Sequence, residues 1–291
     1  MALSSLPSAG PAVYLRPDNV SDAVSALAVM PLTILAGGTD FYAARSGLPV
    51  NESILDISSI ASLRGLREEG AQWRVGPATT WSDLLRAELE PSLLAALRGL
   101  RNAAREVGGI QIQNMGTIAG NVCNASPAAD GIPVLMALDA QVELTSLAGV
   151  RCISIQDFVL GSRRTARRPD ELVSGILIPR RQHARSSFQK LGHRRYLVIS
   201  IVMVAVVLDT DDAGKIDHAG IAVGACSARA LRLASLERKL IGHAINADLT
   251  ELLTADDLQP LSPIDDVRGT GSYRRDAAMT LVRRTLQEAL Q

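Results

Sequence analysis

Cysteine is scarce in this sequence. Cys123, Cys152 and Cys226 are its only three, they stand far apart, and none belongs to a Cys-x-x-Cys pair. A structural zinc site or an iron–sulfur cluster held by this chain alone is therefore not expected, nor is a disulfide scaffold, which needs an even number. Histidine is thin as well: His183, His193, His218 and His243 are separated and show no metal-ligand spacing. Net charge is zero, 30 basic against 30 acidic side chains, so no chain-wide basic field awaits nucleic acid. The longest mainly apolar run, residues 197–208, is broken by Ser200 and is too short to span a bilayer as a helix. The opening MALSSLPSAG lacks the basic start and apolar core of a signal peptide. The expectation is a cytoplasmic protein with no membrane span and no nucleic-acid partner.

Apolar residues are plentiful, at 47% of the 291 positions, enough for a sizeable core in two compact domains. Charge is unevenly spread. Residues 161–195 carry 10 basic and 2 acidic side chains, against 10 and 15 before them and 10 and 13 after. This block marks a junction near residue 170, dividing the chain into residues 1–170 and 171–291. Its only Phe, Tyr or Trp is Phe188, with Tyr196 just beyond its end, too few for a nucleic-acid stacking platform, and residues 163–168 read as a solvated loop. In the first part, residues 13–15, 33–36, 54–57, 73–75 and 141–145 read as strands. Residues 20–30, 80–85, 91–107 and 128–138 read as helices, the last disturbed by Pro133. In the second part, residues 172–178, 197–209 and 218–224 read as strands, and 228–240, 246–254 and 273–289 as helices. Strands followed by helices predict an α+β unit with helices on one face of a sheet.

Two segments stand out chemically. Leu35, Ala36, Gly37, Gly38, Thr39 and Asp40 follow an apolar strand. Consecutive glycines let a ligand approach the backbone closely, and such a turn can aim successive N–H groups at an anion. Residues 114–130 are dominated by small and amide side chains and promise little regular structure. There Thr117, Asn121 and Ser126 offer donors beside Ala119 and Gly120, and Asp130 offers an acceptor for a ribose hydroxyl. An extended, phosphate-bearing ligand explains both segments. The P-loop and the Rossmann fingerprint are absent, so a dinucleotide would be held in another way. None of the histidines or cysteines forms a catalytic constellation, which suits a protein whose chemistry belongs to a cofactor.

These segments resemble the FAD-binding medium subunit of the molybdenum hydroxylases, the xanthine dehydrogenase and carbon monoxide dehydrogenase family. The likeness runs through AGGTD, GGIQIQNMGTIAGNVCNASPAAD, ELVSGILIP, FQKLGHRR, IAVGACSARALRLASLE and GSYRRDAAMTLVRRTL, in the family's order. The resemblance implies an α+β fold: a two-part FAD-binding domain followed by a smaller α+β domain with a sheet and helices. It implies that residues 36–40 and 117–121 surround the FAD pyrophosphate, with Ser126 and Asp130 near the cofactor. Lys190 would reach the flavin side and favour negative charge on reduced flavin.

The resemblance also implies a role. A large partner subunit would hydroxylate an organic substrate at a molybdenum–pterin centre, and a small one would relay electrons through two [2Fe–2S] clusters. FAD on this chain would pass them to NAD, a quinone, oxygen or another acceptor, within a dimer of heterotrimers. Three departures bear on this. Ala119 stands where the family commonly has glycine, Val198 stands where many relatives have aspartate, and the four-cysteine insertion of some relatives is missing. Two other readings stay open: a self-contained FAD oxidoreductase, and a non-catalytic assembly subunit.

Overall fold

The computed structural model describes residues 12–291, so the opening segment discussed above lies outside the described residues. The first unit comprises β1 (Tyr14–Leu15), α1 (Val20–Val29), β2 (Thr33–Leu35), α2 (Thr39–Ala43) and β3 (Ile54–Asp56). Its three strands are parallel in the order β1-β3-β2. Asn19 caps α1 by accepting from the Asp22 N–H at 2.9 Å, and the helix stops just before Pro31. Ala23, Val24 and Leu27 share one apolar cluster with Leu55, Ile57 and Ile60.

The second unit is larger. It runs through β4 (Leu66–Glu69), β5 (Gln72–Val75), α3 (Trp81–Arg86), α4 (Pro91–Ala96), α5 (Arg98–Glu106), α6 (Ile110–Met115), α7 (Ile118–Asn124) and α8 (Gly131–Ala137). It continues with β6 (Gln141–Ser146), β7 (Gly149–Ser154), α9 (Ile155–Phe158), β8 (Val159–Gly161), β9 (Arg164–Thr165) and β10 (Leu172–Pro179). The main sheet is antiparallel in the order β4-β5-β10-β6-β7. β10 lies at its centre, with Ile176 opposite both Val75 and Val142. This corrects the division at residue 170: residues 172–179 belong with the first part, and the chain crosses over at residues 180–184.

The third unit holds β11 (Arg185–Leu191), β12 (Val202–Thr210), β13 (Ile216–Gly224), β14 (Leu231–Arg232), α10 (Ala234–Leu240) and α11 (Gly271–Leu290), its sheet antiparallel in the order β11-β12-β13-β14. This unit's own helices lie on one face of the sheet, as expected, and the second unit covers the other face. Val202, Val204, Val206 and Leu208 of β12 turn toward α10 and α11, and Met203, Ala205 and Val207 toward the second unit's core. Alternate residues of a strand point to opposite faces, so a run with no polar alternation is what double burial requires.

Five further expectations change. Residues 91–107 are two helices because the Ser186 hydroxyl donates to the Ala95 carbonyl and accepts from the Gly99 N–H at 2.8 Å, entering the ladder between them. Residues 118–124 form α7, capped by Thr117, within the stretch read as irregular. Residues 228–233 are not helical because Leu231 and Arg232 pair with β13, and residues 246–254 hold only a short 3₁₀ turn. Residues 197–201 are not strand, as Leu197 adopts a φ of 53°. No helix among the described residues is long and apolar enough to cross a membrane.

Candidate functional site

The two glycine segments meet. Leu35 ends β2 buried, and Ala36 and Gly37 lead to Gly38, whose φ of 70° starts α2. Gly37 lies against the end of α6: a Cβ there would sit 1.9 Å from the Met115 carbonyl oxygen. Only glycine lets these two backbones touch. The second segment is zipped to the start of α3, where Trp81 N–H donates to the Gly116 carbonyl at 3.2 Å and Ile118 N–H to the Thr79 carbonyl at 3.0 Å. Thr80 and Asp83 close a capping box on α3, which fixes that anchor.

Between the segments runs a cleft of about 690 Å³, a volume typical of a small-molecule site. Leu35, Ala36, Gly37, Gly38, Thr39 and Asp40 line one side, and Thr117, Ala119, Gly120 and Asn121 the other. The N–H groups of Gly37, Gly38 and Thr39 find no acceptor among the described residues. Thr117 Oγ1 accepts from the Gly120 N–H at 3.0 Å, leaving its own proton to donate, and Asn121 Oδ1 accepts from Gly131, leaving its amide NH₂. Such donors suit an anionic, elongated ligand.

Ser126, Asp130 and Lys190 stand outside the lining of this cleft. Ser126 Oγ accepts from the Ala128 N–H within its own turn. Asp130 is buried and fully engaged: Lys190 Nζ lies 2.9 Å from one oxygen and Ser200 Oγ donates to the other at 2.9 Å. Burial lifts the Asp130 carboxyl above its ordinary range, with the Lys190 ammonium pulling it back. Val198 packs against the backbone of Gly192.

The sequence reading missed the opposite wall. Arg163, Thr165 and Arg167, in the basic stretch read as a solvated loop, line the cleft together with Trp81, Arg45 and Val173. Arg163 reaches across to Asp40 at 3.2 Å. Arg45 is paired with Glu52 and stacks on the Phe41 ring at 3.9 Å. Cys123 also lines the cleft, but burial pushes its thiol up to about 11, with Arg167 opposing, so it is protonated at neutral pH. The signal for this wall was present: neither glycine segment has a basic residue, while residues 163–168 have four.

Comparison with known proteins decides the family. Residues 8–181 match the family described as "FAD binding domain in molybdopterin dehydrogenase", and residues 187–289 match "CO dehydrogenase flavoprotein C-terminal domain". The chain belongs to this flavoprotein family. Within it, the chain is 32% identical over 232 residues to the nicotinate dehydrogenase FAD-subunit of Eubacterium barkeri, covering 76% of each chain. It is 29% identical over 285 residues to the xanthine dehydrogenase FAD-binding subunit of Escherichia coli O157:H7, covering 96% of each. Among solved flavoprotein chains, one of the reconstituted CO dehydrogenase from Oligotropha carboxidovorans superposes with a TM-score of 0.86 at 29% identity, covering 97% of this chain and 98% of that one. The matched regions meet at the crossover after β10, where the strand pairing divides the fold.

Proposed function

We propose that this chain binds one FAD along the cleft and serves as the electron-carrying subunit of a molybdenum hydroxylase. The carrying observation is the contact of Gly37 with Met115, which sets the two loops side by side along one cleft. In this reading Ala36, Gly37, Gly38, Thr39 and Asp40 hold the diphosphate from one side. Thr117, Ala119, Gly120 and Asn121 hold it from the other, with Leu35 backing the first loop.

Bound FAD supplies both one- and two-electron exchange, and so joins a cluster-bearing partner to NAD, a quinone, oxygen or another acceptor. The chain's own residues bind and orient it. Ser126, Asp130 and Lys190 stand near the cofactor in this reading, and the contacts of Asp130 with Lys190 and Ser200 hold the second and third units together. The partners in this reading are a large molybdopterin subunit and a small subunit with two [2Fe–2S] clusters, assembled as a dimer of heterotrimers.

Affinity purification of the tagged chain from its native source, with cofactor and metal analysis, tests this. Two further chains, molybdenum and iron should accompany the flavin. A flavin-loaded chain that purifies alone and oxidises an organic substrate unaided would contradict the reading.

A further inference from the structure

The diphosphate of FAD carries two negative charges, yet no lysine or arginine stands anywhere in residues 35–40 or 114–130. Backbone N–H groups and hydroxyls supply dipoles but no formal charge. A neutralising cation has to come from elsewhere in the fold. The charged residues lining the cleft are Asp40, Arg45, Arg163 and Arg167. Arg45 is committed to Glu52, and Arg163 to Asp40. Arg167 differs from both.

The Arg167 guanidinium is half-buried and forms no ion pair among the described residues. It is held instead by carbonyls: Nη1 donates to Glu171 at 2.7 Å, Arg168 at 3.0 Å and Pro169 at 3.3 Å. Three carbonyl oxygens fix one nitrogen and leave Nε and Nη2 unused. Those carbonyls neutralise none of the positive charge. Arg167 follows the short β8–β9 hairpin, and β9 packs against α7, the helix that begins at Thr117. An oriented, half-desolvated guanidinium without a counter-ion, facing a cleft of amide donors, is the arrangement that a phosphate completes.

We propose that Arg167 is the cationic arm of the cofactor cleft, pairing with the diphosphate between the two glycine loops. The proposal rests on the FAD reading above. Arg167 is a positioning and binding residue with no part in the redox chemistry. Arg163, already paired with Asp40 and largely exposed, contributes less.

The test titrates the cofactor-stripped full chain with FAD and, separately, with riboflavin, which has no phosphate. In Arg167→Ala the Kd for FAD should rise about tenfold to a hundredfold, the usual cost of a charge-assisted hydrogen bond. Riboflavin affinity should stay put, and Arg163→Ala should move FAD binding much less. Arg167→Lys, which keeps the charge and loses the fork, should fall between wild type and Arg167→Ala. Salt should weaken FAD binding in the wild type and do so less in Arg167→Ala. If Arg167→Ala does not fold, Arg167→Lys and the wild-type salt series carry the test. FAD binding that ignores salt in the wild type, or an unchanged Kd in the Arg167 variants, overturns the proposal and leaves the FAD reading standing. Equal loss of FAD and riboflavin in Arg167→Ala also overturns it. A wild-type chain that binds no FAD overturns both.

Discussion

Lys190 and Asp130 meet 2.9 Å apart across the seam between the second and third units, their side chains 6% and 8% exposed. The lysine comes from β11 and the aspartate from the residue before α8, 60 positions earlier. Lys190 also reaches the Glu106 carbonyl at 3.4 Å, so one ammonium ties three segments together.

Removing one partner of a buried pair strands the other. Lys190→Met should destabilise the chain by about 3–5 kcal/mol, and the double variant Lys190→Met with Asp130→Asn should lose less than the sum of its parts. Without its partner, Asp130 takes up a proton more readily in the folded state than in the unfolded one. Stability of Lys190→Met should therefore be least impaired in acid and fall as pH rises from about 4 toward 7. Denaturant titrations across that range measure both effects.

Gly37→Ala places a methyl 1.9 Å from the Met115 carbonyl oxygen, so the two loops must part. FAD affinity should drop by at least about tenfold while far-UV circular dichroism stays native, since the clash is local. Gly220→Ala is the control. Its methyl would lie 2.1 Å from the Ala137 carbonyl oxygen, in the seam and away from the cleft. It should lower the melting temperature and leave the FAD Kd of the folded chain unchanged.

Ala119 is nearly buried near the start of α7 and lines the cleft. Its methyl sits on a helix, where alanine outperforms glycine by about 1 kcal/mol. Ala119→Gly should therefore cost about that much stability in a urea titration, with FAD affinity shifting only a few-fold. A large gain in affinity would show that the methyl obstructs the cofactor.

His218 stands elsewhere on the same seam, its Nε2 3.4 Å from the Asp139 carboxylate. Burial first, then the Arg181 and Arg232 guanidiniums, hold its pKa below 6.5, with Asp139 and a backbone hydrogen bond with Ala137 opposing. The folded chain thus keeps this imidazole neutral where the unfolded chain protonates it. The stabilisation is complete above about pH 6.5 and is lost as pH falls through the lowered value. His218→Gln should flatten the pH dependence of stability between about pH 7 and pH 5, read by chemical denaturation.

Much of this was legible from residue order alone. Gly37 and Gly38 announced a close backbone approach, because no other residue permits one there. The Val-rich run through residues 202–208 announced a buried strand, while the layer covering its second face comes from a unit earlier in the sequence. Other features depended on partners distant in sequence. β10 joined the first part through pairing with β5 and β6, which no local pattern encodes. The hydroxyl that splits α4 from α5 comes from Ser186, some 90 residues away. α7 was hidden by its small and amide residues, whose helix depends on the Thr117 cap and on burial of Ile118 and Val122. Arg167 looked like part of a solvated charge run because its carbonyl partners become a clamp only once the chain turns back at residues 168–171.

The most direct measurement is the absorption spectrum of the purified native chain, followed by denaturation and chromatographic identification of the released chromophore. The account predicts a flavin spectrum and about one FAD per chain. A folded, colourless chain that fails to take up added FAD would contradict it, and would leave the two glycine loops without the ligand that explains them.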